Sequence, residues 1–286
     1  MATIHLYQNG RYLPADKAAI SPFDGGFLYG NGVFETIRLY QGIPFLLQRH
    51  LERLQQGLAI LNIALPSMPA DFEAIIDHLL TLNKLSSSDA MARIVVSSGP
   101  LPDTDHQSTC IVQVLPLDLK TQQQRQQGLK TIFLPWRRDG HHPLLRIKSL
   151  NYLDNLFGRR LAVRQGADEG IFLNQDDHLC EGTFSNLFLL TEDNCLVTPP
   201  VEAGLLPGIT RAAIIECCRT AEINCRIEPI PMATISRYRG GFLSSSLMEL
   251  APLKTLGTLH FDPQQAALIQ NAILQTYENM KAKIRQ

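Results

Sequence analysis

The chain has 286 residues, 45% of them hydrophobic and 19% charged, a composition typical of globular proteins with a sizeable buried core. Twenty-six lysines and arginines oppose 27 acidic residues, and this net charge of -1 argues against a nucleic-acid partner, since nucleic-acid-binding proteins usually carry a basic excess. No apolar run is long enough to cross a membrane and the first residues lack the apolar region of a signal peptide, so we expect a cytoplasmic protein without a membrane partner.

The cysteines and histidines form no metal-binding pattern. Neither a CxxC pair nor an HExxH motif occurs, so we expect no metal site and reduced, mostly buried thiols. The cysteines are Cys110, Cys180, Cys195, Cys217, Cys218 and Cys225.

The first part of the chain is predicted to alternate hairpins and helices. Asn9-Gly10 and Gln41-Gly42 are turn sequences between short apolar runs, and leucines at helical spacing follow the second hairpin. The predicted elements are strands 4–7, 11–13, 33–40 and 43–47, helices 50–61 and 71–82, and strands 93–97 and 110–115. A polar, glutamine-rich segment between residues 118 and 128 then predicts a domain boundary.

Beyond that segment, strands and helices alternate again. The predicted elements are helix 155–165, strands 169–174 and 184–190, helix 210–221, strand 241–247 and helix 263–283. The sequence therefore predicts an α/β (α+β) protein of two domains, with a smaller N-terminal α/β domain at 1–120 and a larger C-terminal domain at 121–286.

Four separate features are suited to binding a phosphorylated aldehyde. Lys148 stands between apolar neighbours, where a partly desolvated amine can form a Schiff base. Glu181 lies in a turn between strands, residues 205–211 place Pro and Gly before a helix N-terminus suited to anions, and residues 244–246 are three serines. Taken singly, each has an ordinary structural explanation, but together they match the components of a pyridoxal phosphate (PLP) site. The glycine-rich segment 25–32 lacks the third glycine of a dinucleotide-binding turn.

The same residues carry a resemblance to a known family. IKSLNYLDN, EGTFSN and LLPGITR in this order, with 33 positions from Lys148 to Glu181, resemble the class IV PLP enzymes. The opening segment SPFDGGFLYGNGVFETIRLYQGIPFLLQRHLERL is similar to the start of that family, and the resemblance extends from residue 5 to about residue 256. It implies the two-domain fold type IV, with PLP bound by the C-terminal domain, and a homodimer.

The resemblance also implies roles for individual residues. Lys148 matches the lysine that binds the cofactor aldehyde and moves the proton at Cα, and Glu181 matches the glutamate that keeps the pyridine nitrogen protonated. Thr36 matches a threonine implicated in protonating the leaving group. The remaining cofactor-binding positions that the resemblance implies are Arg53, Tyr152, Leu206, Gly208, Ile209, Thr210, Ser245 and Ser246.

Within the family, the wording of SPFDGGFLYG, VFETIRLY and PFLLQRHLERL is most similar to bacterial aminodeoxychorismate lyases. This resemblance implies a lyase that converts 4-amino-4-deoxychorismate to 4-aminobenzoate and pyruvate in folate biosynthesis. Arg38 and Arg93 are candidate ligands for the substrate carboxylates, although each could instead form a structural ion pair.

Two alternatives to the lyase remain, of which the first shares every cofactor motif and the second retains only the fold. One is a class IV aminotransferase that acts on D-amino acids or branched-chain amino acids with 2-oxoglutarate. The other is a non-catalytic homologue, which the joint retention of Lys148 and Glu181 argues against.

Overall fold

A computed structural model describes residues 3–64, 71–101, 108–118, 123 and 125–284. The chain divides into two compact units, Met1–Asp118 with Ile147–Tyr152 and Leu119–Arg146 with Leu153–Gln286. The segment that carries Lys148 therefore packs with the first unit, whereas the sequence prediction assigned it to the second domain. The division into functional domains at residue 120 stays a prediction.

The first unit contains a six-stranded sheet in the order β2-β1-β6-β5-β3-β4. Its strands are β1 (His5–Gln8), β2 (Arg11–Pro14), β3 (Gly32–Tyr40), β4 (Ile43–Pro44), β5 (Ala90–Ser97) and β6 (Thr109–Pro116). Its helices are α1 (Gly25–Tyr29), α2 (Leu47–Ile60) and α3 (Phe72–Leu82). The predicted first hairpin is confirmed, with Asn9 and Gly10 at φ angles of 44° and 86° that suit a tight two-residue turn.

Helices α2 and α3 contribute to the hydrophobic core of this unit. Residues Val33, Ile37 and Leu39 of β3 join that core, as do alternate residues of β5. Because side chains alternate along a strand, Phe34, Thr36 and Arg38 share the opposite face of β3. Arg93 of β5 pairs in register with Thr36 and so belongs to that same face.

The second unit is built on an eight-stranded sheet that runs β12-β11-β10-β9-β8-β7, with β13 paired to β10 and β14 to β13. Its strands are β7 (Thr131–Arg138), β8 (Glu169–Asn174), β9 (Leu179–Gly182), β10 (Asn186–Thr191), β11 (Leu196–Thr198), β12 (Cys225–Ile227), β13 (Tyr238–Ser245), β14 (Glu249–Pro252), β15 (Thr255–Leu256) and β16 (Leu259–His260). Its helices are α4 (Leu153–Arg164), α5 (Ile209–Thr220) and α6 (Ala267–Ile284).

Several predicted elements differ from the observed ones at their ends. The strand predicted at 43–47 ends at Pro44, because Leu46 takes a left-handed conformation (φ 54°) and α2 begins at Leu47. The strand predicted at 241–247 ends at Ser245, and its last two positions form a turn. Strand β7 was not predicted, and it has no clean alternation of buried and exposed residues that could have revealed it.

Burial of the cysteines agrees with the prediction. Five of the six thiols are buried and Cys225 is partly buried. Burial raises the pKa of Cys110 to about 12 and that of Cys217 to about 11, so both thiols stay protonated at neutral pH. Among the helices of the described ranges, none combines the length and the apolar character needed to cross a bilayer.

Candidate active site

Lys148 lies in a segment that pairs with the start of β3. The amide of Phe34 donates to the Lys148 carbonyl (2.9 Å), and the amide of Leu150 donates to the Gly32 carbonyl (2.9 Å). The Lys148 Nζ lies 4.4 Å from the centroid of the Phe34 ring and 5.2 Å from that of Tyr152. These two rings meet edge to face at 5.2 Å. The half-buried amine thus has aromatic neighbours on two sides, a setting that limits the approach of water.

Three polar side chains form a buried group in the first unit. Arg53 donates from Nε and Nη2 to the two carboxylate oxygens of Glu35 at 2.7 and 2.8 Å, and His50 Nδ1 lies 2.7 Å from Glu35 Oε2. Burial would raise the pKa of Glu35, but Arg53 and His50 together bring it down to about 2. Burial also lowers the pKa of His50, against the opposing effect of Glu35, so the ring is neutral and donates its Nδ1 proton. The Arg53 guanidinium is therefore held in one plane by a charged carboxylate.

The two candidate substrate arginines have different surroundings. Arg38 is buried, and its Nη2 lies 2.9 Å from Asp89 Oδ2, so its geometry favours the structural ion pair. Arg93 is half-buried with its Cζ 5.7 Å from the Phe34 ring centroid, and its buried Nε has no hydrogen-bond partner within the described residues. The half-buried Thr36 is its register neighbour. Arg93 thus lies over the same aromatic ring as the Lys148 amine.

Glu181 stands on β9 of the second unit with both carboxylate oxygens bound. Arg138 Nη1 donates to Oε1 at 2.7 Å, while Asn186 Nδ2 and the Leu206 amide donate to Oε2 at 3.2 and 3.1 Å. Only 7% of Glu181 is exposed. The carboxylate is thus oriented by one cation and two neutral donors.

The segment that precedes α5 is tied to the same strands. Asn186 Nδ2 also donates to the Leu206 carbonyl (3.0 Å). A Cβ on residue 208 would collide with Asn186 Oδ1, so glycine is required there. Helix α5 begins at Ile209, and the Gly208 N-cap provides no side-chain hydrogen bond. Arg211 fixes the first turn, because its Nη2 donates to the Pro199 carbonyl at 2.7 Å. The first amides of α5, followed by the buried Thr210, are suited to an anion.

The three serines lie next to these residues through the register of β10 and β13. Ser244 pairs with Asn186, and its hydroxyl is buried without a hydrogen-bond partner within the described ranges. Ser245 is the last residue of β13 and Ser246 the first of the following turn, both half-buried. The buried hydroxyl of Ser244 is therefore suited to a hydrogen bond with a bound polar group.

The structure thus distributes the predicted site residues over its two units. Those of the first unit are Thr36, Arg38, Arg53, Arg93, Lys148 and Tyr152, and those of the second are Glu181, Leu206, Gly208, Ile209, Thr210, Ser245 and Ser246. Sequence reasoning missed Arg138, Glu35 and His50, whereas Ser244 belongs to the serine run that the sequence had already singled out. Glu35 and His50 stand inside the FETIR and RHLERL runs already singled out, whereas Arg138 had no such signal.

Across the part of the chain that the structure describes, no three His, Cys, Asp or Glu side chains cluster in a way that could bind a metal ion. A comparison with known families explains the arrangement of the site residues. The family described as Amino-transferase class IV matches residues 32–256, which include both the lysine segment and the Glu181 strand.

The chain belongs to the class IV aminotransferase family. Similar members include the aminodeoxychorismate lyase of Bacillus subtilis, 32% identical, with 91% of this chain and 89% of that protein covered. A putative branched-chain-amino-acid aminotransferase of Methanocaldococcus jannaschii is 29% identical over 97% of this chain and 96% of its own length. Among solved structures, the PLP-bound form of a hypothetical aminotransferase from Mycobacterium tuberculosis superposes with a TM-score of 0.84. It is 25% identical and covers 95% of this chain and 98% of its own. The predicted fold type is therefore confirmed.

Proposed function

We propose that the protein is a PLP-dependent lyase that converts 4-amino-4-deoxychorismate to 4-aminobenzoate and pyruvate. The observation that carries this choice is the 32% identity, over nine-tenths of the chain, to the aminodeoxychorismate lyase of Bacillus subtilis. The reaction belongs to folate biosynthesis, and we propose a cytoplasmic homodimer.

The residues present fit PLP. The Lys148 amine, held beside Phe34 and Tyr152, is suited to the aldehyde, and the oriented carboxylate of Glu181 is suited to a protonated pyridine nitrogen. The uncapped start of α5 and the orphan hydroxyl of Ser244 are suited to phosphate oxygens, with Arg53 as a cation for the same group. The half-buried positions of Leu206 and Tyr152 leave part of each side chain available to the ring.

When bound, PLP withdraws electrons from the carbon that carries the substrate amine. Lys148 Nζ, once displaced by that amine, removes the proton from this carbon. The bond between the ring carbon and the enolpyruvyl oxygen then breaks, and aromatisation of the ring to 4-aminobenzoate drives the step. Thr36 Oγ1 would deliver the proton that the enolpyruvyl fragment needs to become pyruvate, and its hydroxyl would regain a proton from Lys148, which had removed one from the ring carbon. Glu181 keeps the proton on the pyridine nitrogen throughout.

The substrate has two carboxylates, and a guanidinium recognises a carboxylate well. We assign one of them to Arg93, because its buried Nε has no hydrogen-bond partner in the described part of the chain and lies on the same face of the sheet as Thr36. Arg38, whose charge is balanced by Asp89, is a weaker candidate.

An assay of the PLP-loaded protein with 4-amino-4-deoxychorismate, in the absence of any keto acid, tests this proposal. We expect 4-aminobenzoate and pyruvate in equal amounts. Lys148→Ala should abolish turnover and the visible absorbance of bound PLP, while Lys17→Ala, at an exposed lysine paired with Asp16, serves as the control. Formation of neither product by the loaded wild-type protein would refute the proposal.

A class IV aminotransferase is the second candidate. The 29% identity to a putative branched-chain-amino-acid aminotransferase over nearly the whole chain supports it. Transfer of the amino group from leucine or D-alanine to 2-oxoglutarate, without conversion of 4-amino-4-deoxychorismate, would favour this candidate. The same protein sample therefore decides between the two.

A further inference from the structure

Arg138 is a buried arginine at the end of β7 that no sequence motif indicated. Its guanidinium lies over a ring of the neighbouring strand, with Cζ 3.3 Å from the centroid of Phe172 on β8. Strand β8 stands between β7 and β9 in the sheet, so the side chain reaches across it to Glu181. Only 5% of Arg138 is exposed. A desolvated arginine in this position needs a specific acceptor.

Helix α4 supplies two further contacts that fix the guanidinium. Nη2 donates to Asn155 Oδ1 at 3.1 Å, and Nε lies 3.4 Å from Asp154 Oδ2. Asn155 is itself held, since its Nδ2 donates to the Thr183 carbonyl at 2.6 Å. Asp154 is half exposed and also accepts from Trp136 Nε1 at 2.8 Å. Among these contacts to the Arg138 side chain, the one to Glu181 is the shortest, at 2.7 Å.

The contact matters because a buried carboxylate is costly without a cation. If Arg138 were removed, Glu181 would lose this guanidinium, while the neutral donors of Asn186 and Leu206 would stay on its other oxygen. Neutral donors of this kind stabilise a charged carboxylate less than a guanidinium does. Without the guanidinium, the carboxylate would compete more strongly with the pyridine nitrogen for the proton between them, so less of the nitrogen would be protonated.

We propose that Arg138 is a positioning residue that controls the pyridine nitrogen of PLP through Glu181. It keeps Glu181 ionised and fixes the orientation of its carboxylate. The inference rests on the proposed function, because it requires that Glu181 binds the PLP ring nitrogen. It extends that function by adding a residue that acts on the cofactor without a direct contact.

The test compares PLP with 1-deaza-PLP, in which a carbon replaces the ring nitrogen. Apo-protein is titrated with each compound, and the dissociation constant for 1-deaza-PLP is divided by that for PLP. This ratio reports only the recognition of the nitrogen. In Arg138→Gln we expect this ratio to fall about tenfold towards the value of Glu181→Gln. Arg137→Gln is the matched control, because the neighbouring Arg137 forms a solvent-exposed pair with Asp177 and should leave the ratio unchanged.

A spectroscopic measurement supplements the titration. With PLP labelled with ¹⁵N in the ring, the wild-type protein and Arg137→Gln should show the shift of a protonated pyridine nitrogen, and Arg138→Gln that of an unprotonated one. Arg138→Lys, which keeps the charge but loses the planar fork, serves if Arg138→Gln does not fold. Its affinity ratio should lie between those of the wild type and Glu181→Gln.

A wild-type ratio and nitrogen shift in Arg138→Gln, or in Arg138→Lys where only that variant folds, would overturn the inference. Failure of the proposed function looks different. In that case the wild-type protein would bind no PLP, or it would bind PLP and 1-deaza-PLP equally well. Substitution of Arg138 would not change this result.

Discussion

Glu35 is the residue on which the buried polar group of the first unit depends. Its carboxylate is inaccessible to solvent, yet it accepts from both Arg53 and His50. Arg53 and His50 lower the pKa of Glu35 to about 2 against the effect of burial. The carboxylate is therefore charged at physiological pH and holds the Arg53 fork through two hydrogen bonds.

This pKa predicts acid-sensitive stability. A carboxyl whose pKa falls from 4.5 to about 2 on folding stabilises the native state by about 3 kcal/mol above pH 4.5, and the contribution disappears as the pH falls towards 2. His50 acts in the same direction, because its lowered pKa makes protonation at acid pH unfavourable for the folded protein. Glu35→Gln should thus lower the free energy of unfolding by about 3 kcal/mol at pH 7 and by about half as much near pH 3.

Urea unfolding at pH 7, 5 and 3 measures this difference. Glu52→Gln is the control, because Glu52 is an exposed glutamate of α2, the helix that carries His50 and Arg53, and its contact is with Gln48. We expect its free energy of unfolding to follow the wild type at each pH. A loss in Glu35→Gln that is equal at pH 7 and pH 3 would show that the ionised carboxylate is not the source.

At the scale of elements, two helices begin with an aspartate whose surroundings differ. Asp24 accepts from the amides of Gly26 and Phe27 at the start of α1, and its second oxygen accepts from Ser97 and Thr109. Asp71 caps α3 with one bond, from the Ala74 amide. Asp24 is 1% exposed, while Asp71 is open to solvent. Asp24 thus joins α1 to β5 and β6, whereas Asp71 serves its own helix alone.

Replacing each aspartate by alanine should distinguish the stability lost with an exposed helix cap from that lost with a buried connection between elements. Asp71→Ala removes one exposed cap and should cost about 1 kcal/mol. Asp24→Ala removes a cap and leaves the Ser97 and Thr109 hydroxyls without their acceptor, so we expect a loss of about 3 kcal/mol. Thermal unfolding of the two variants side by side measures the difference. Equal losses would contradict the connecting role of Asp24.

The same elements show what the sequence could predict. The hairpin at Asn9-Gly10 and helices α2 and α3 follow from chemistry within a few residues, namely turn geometry and the spacing of leucines, and the predictions at these positions are confirmed. Lys148 and Glu181 were singled out from their residue types and neighbours, and the family resemblance implied their roles. Partners brought together by sheet pairing were not predicted, because nothing local links Arg138 to Glu181, which is 43 positions away.

Arg53 illustrates the same limit at the site itself. The sequence assigned it to phosphate, and the structure adds that Glu35 binds its fork. Glu35 is 18 positions away on another element and faces α2 only because β3 places every second residue on that side. Local periodicity identifies the buried face of β3, but it does not identify which buried position carries the charge.

At the scale of the whole molecule, the first unit exposes an apolar segment around α1. The exposed fractions of Phe23, Phe27 and Tyr29 are 64%, 74% and 67%, and that of Leu28 is 45%. The Asp24 cap fixes this short helix, so the rings are displayed by a rigid element rather than by a loose loop. Large exposed apolar patches on a rigid surface mark protein–protein contacts. This segment therefore supports the proposed homodimer and is our candidate for part of its interface.

Phe27→Glu should convert the dimer to a monomer, because it would bury a charge in the contact. Size-exclusion chromatography with light scattering should give twice 31.9 kDa for the wild type and 31.9 kDa for the variant. Leu268→Glu is the control, since Leu268 is 85% exposed on α6 and has no exposed large apolar residue beside it in sequence. We expect this variant to remain dimeric. A wild-type monomer would refute the homodimer, and a dimeric Phe27→Glu would remove α1 from its interface.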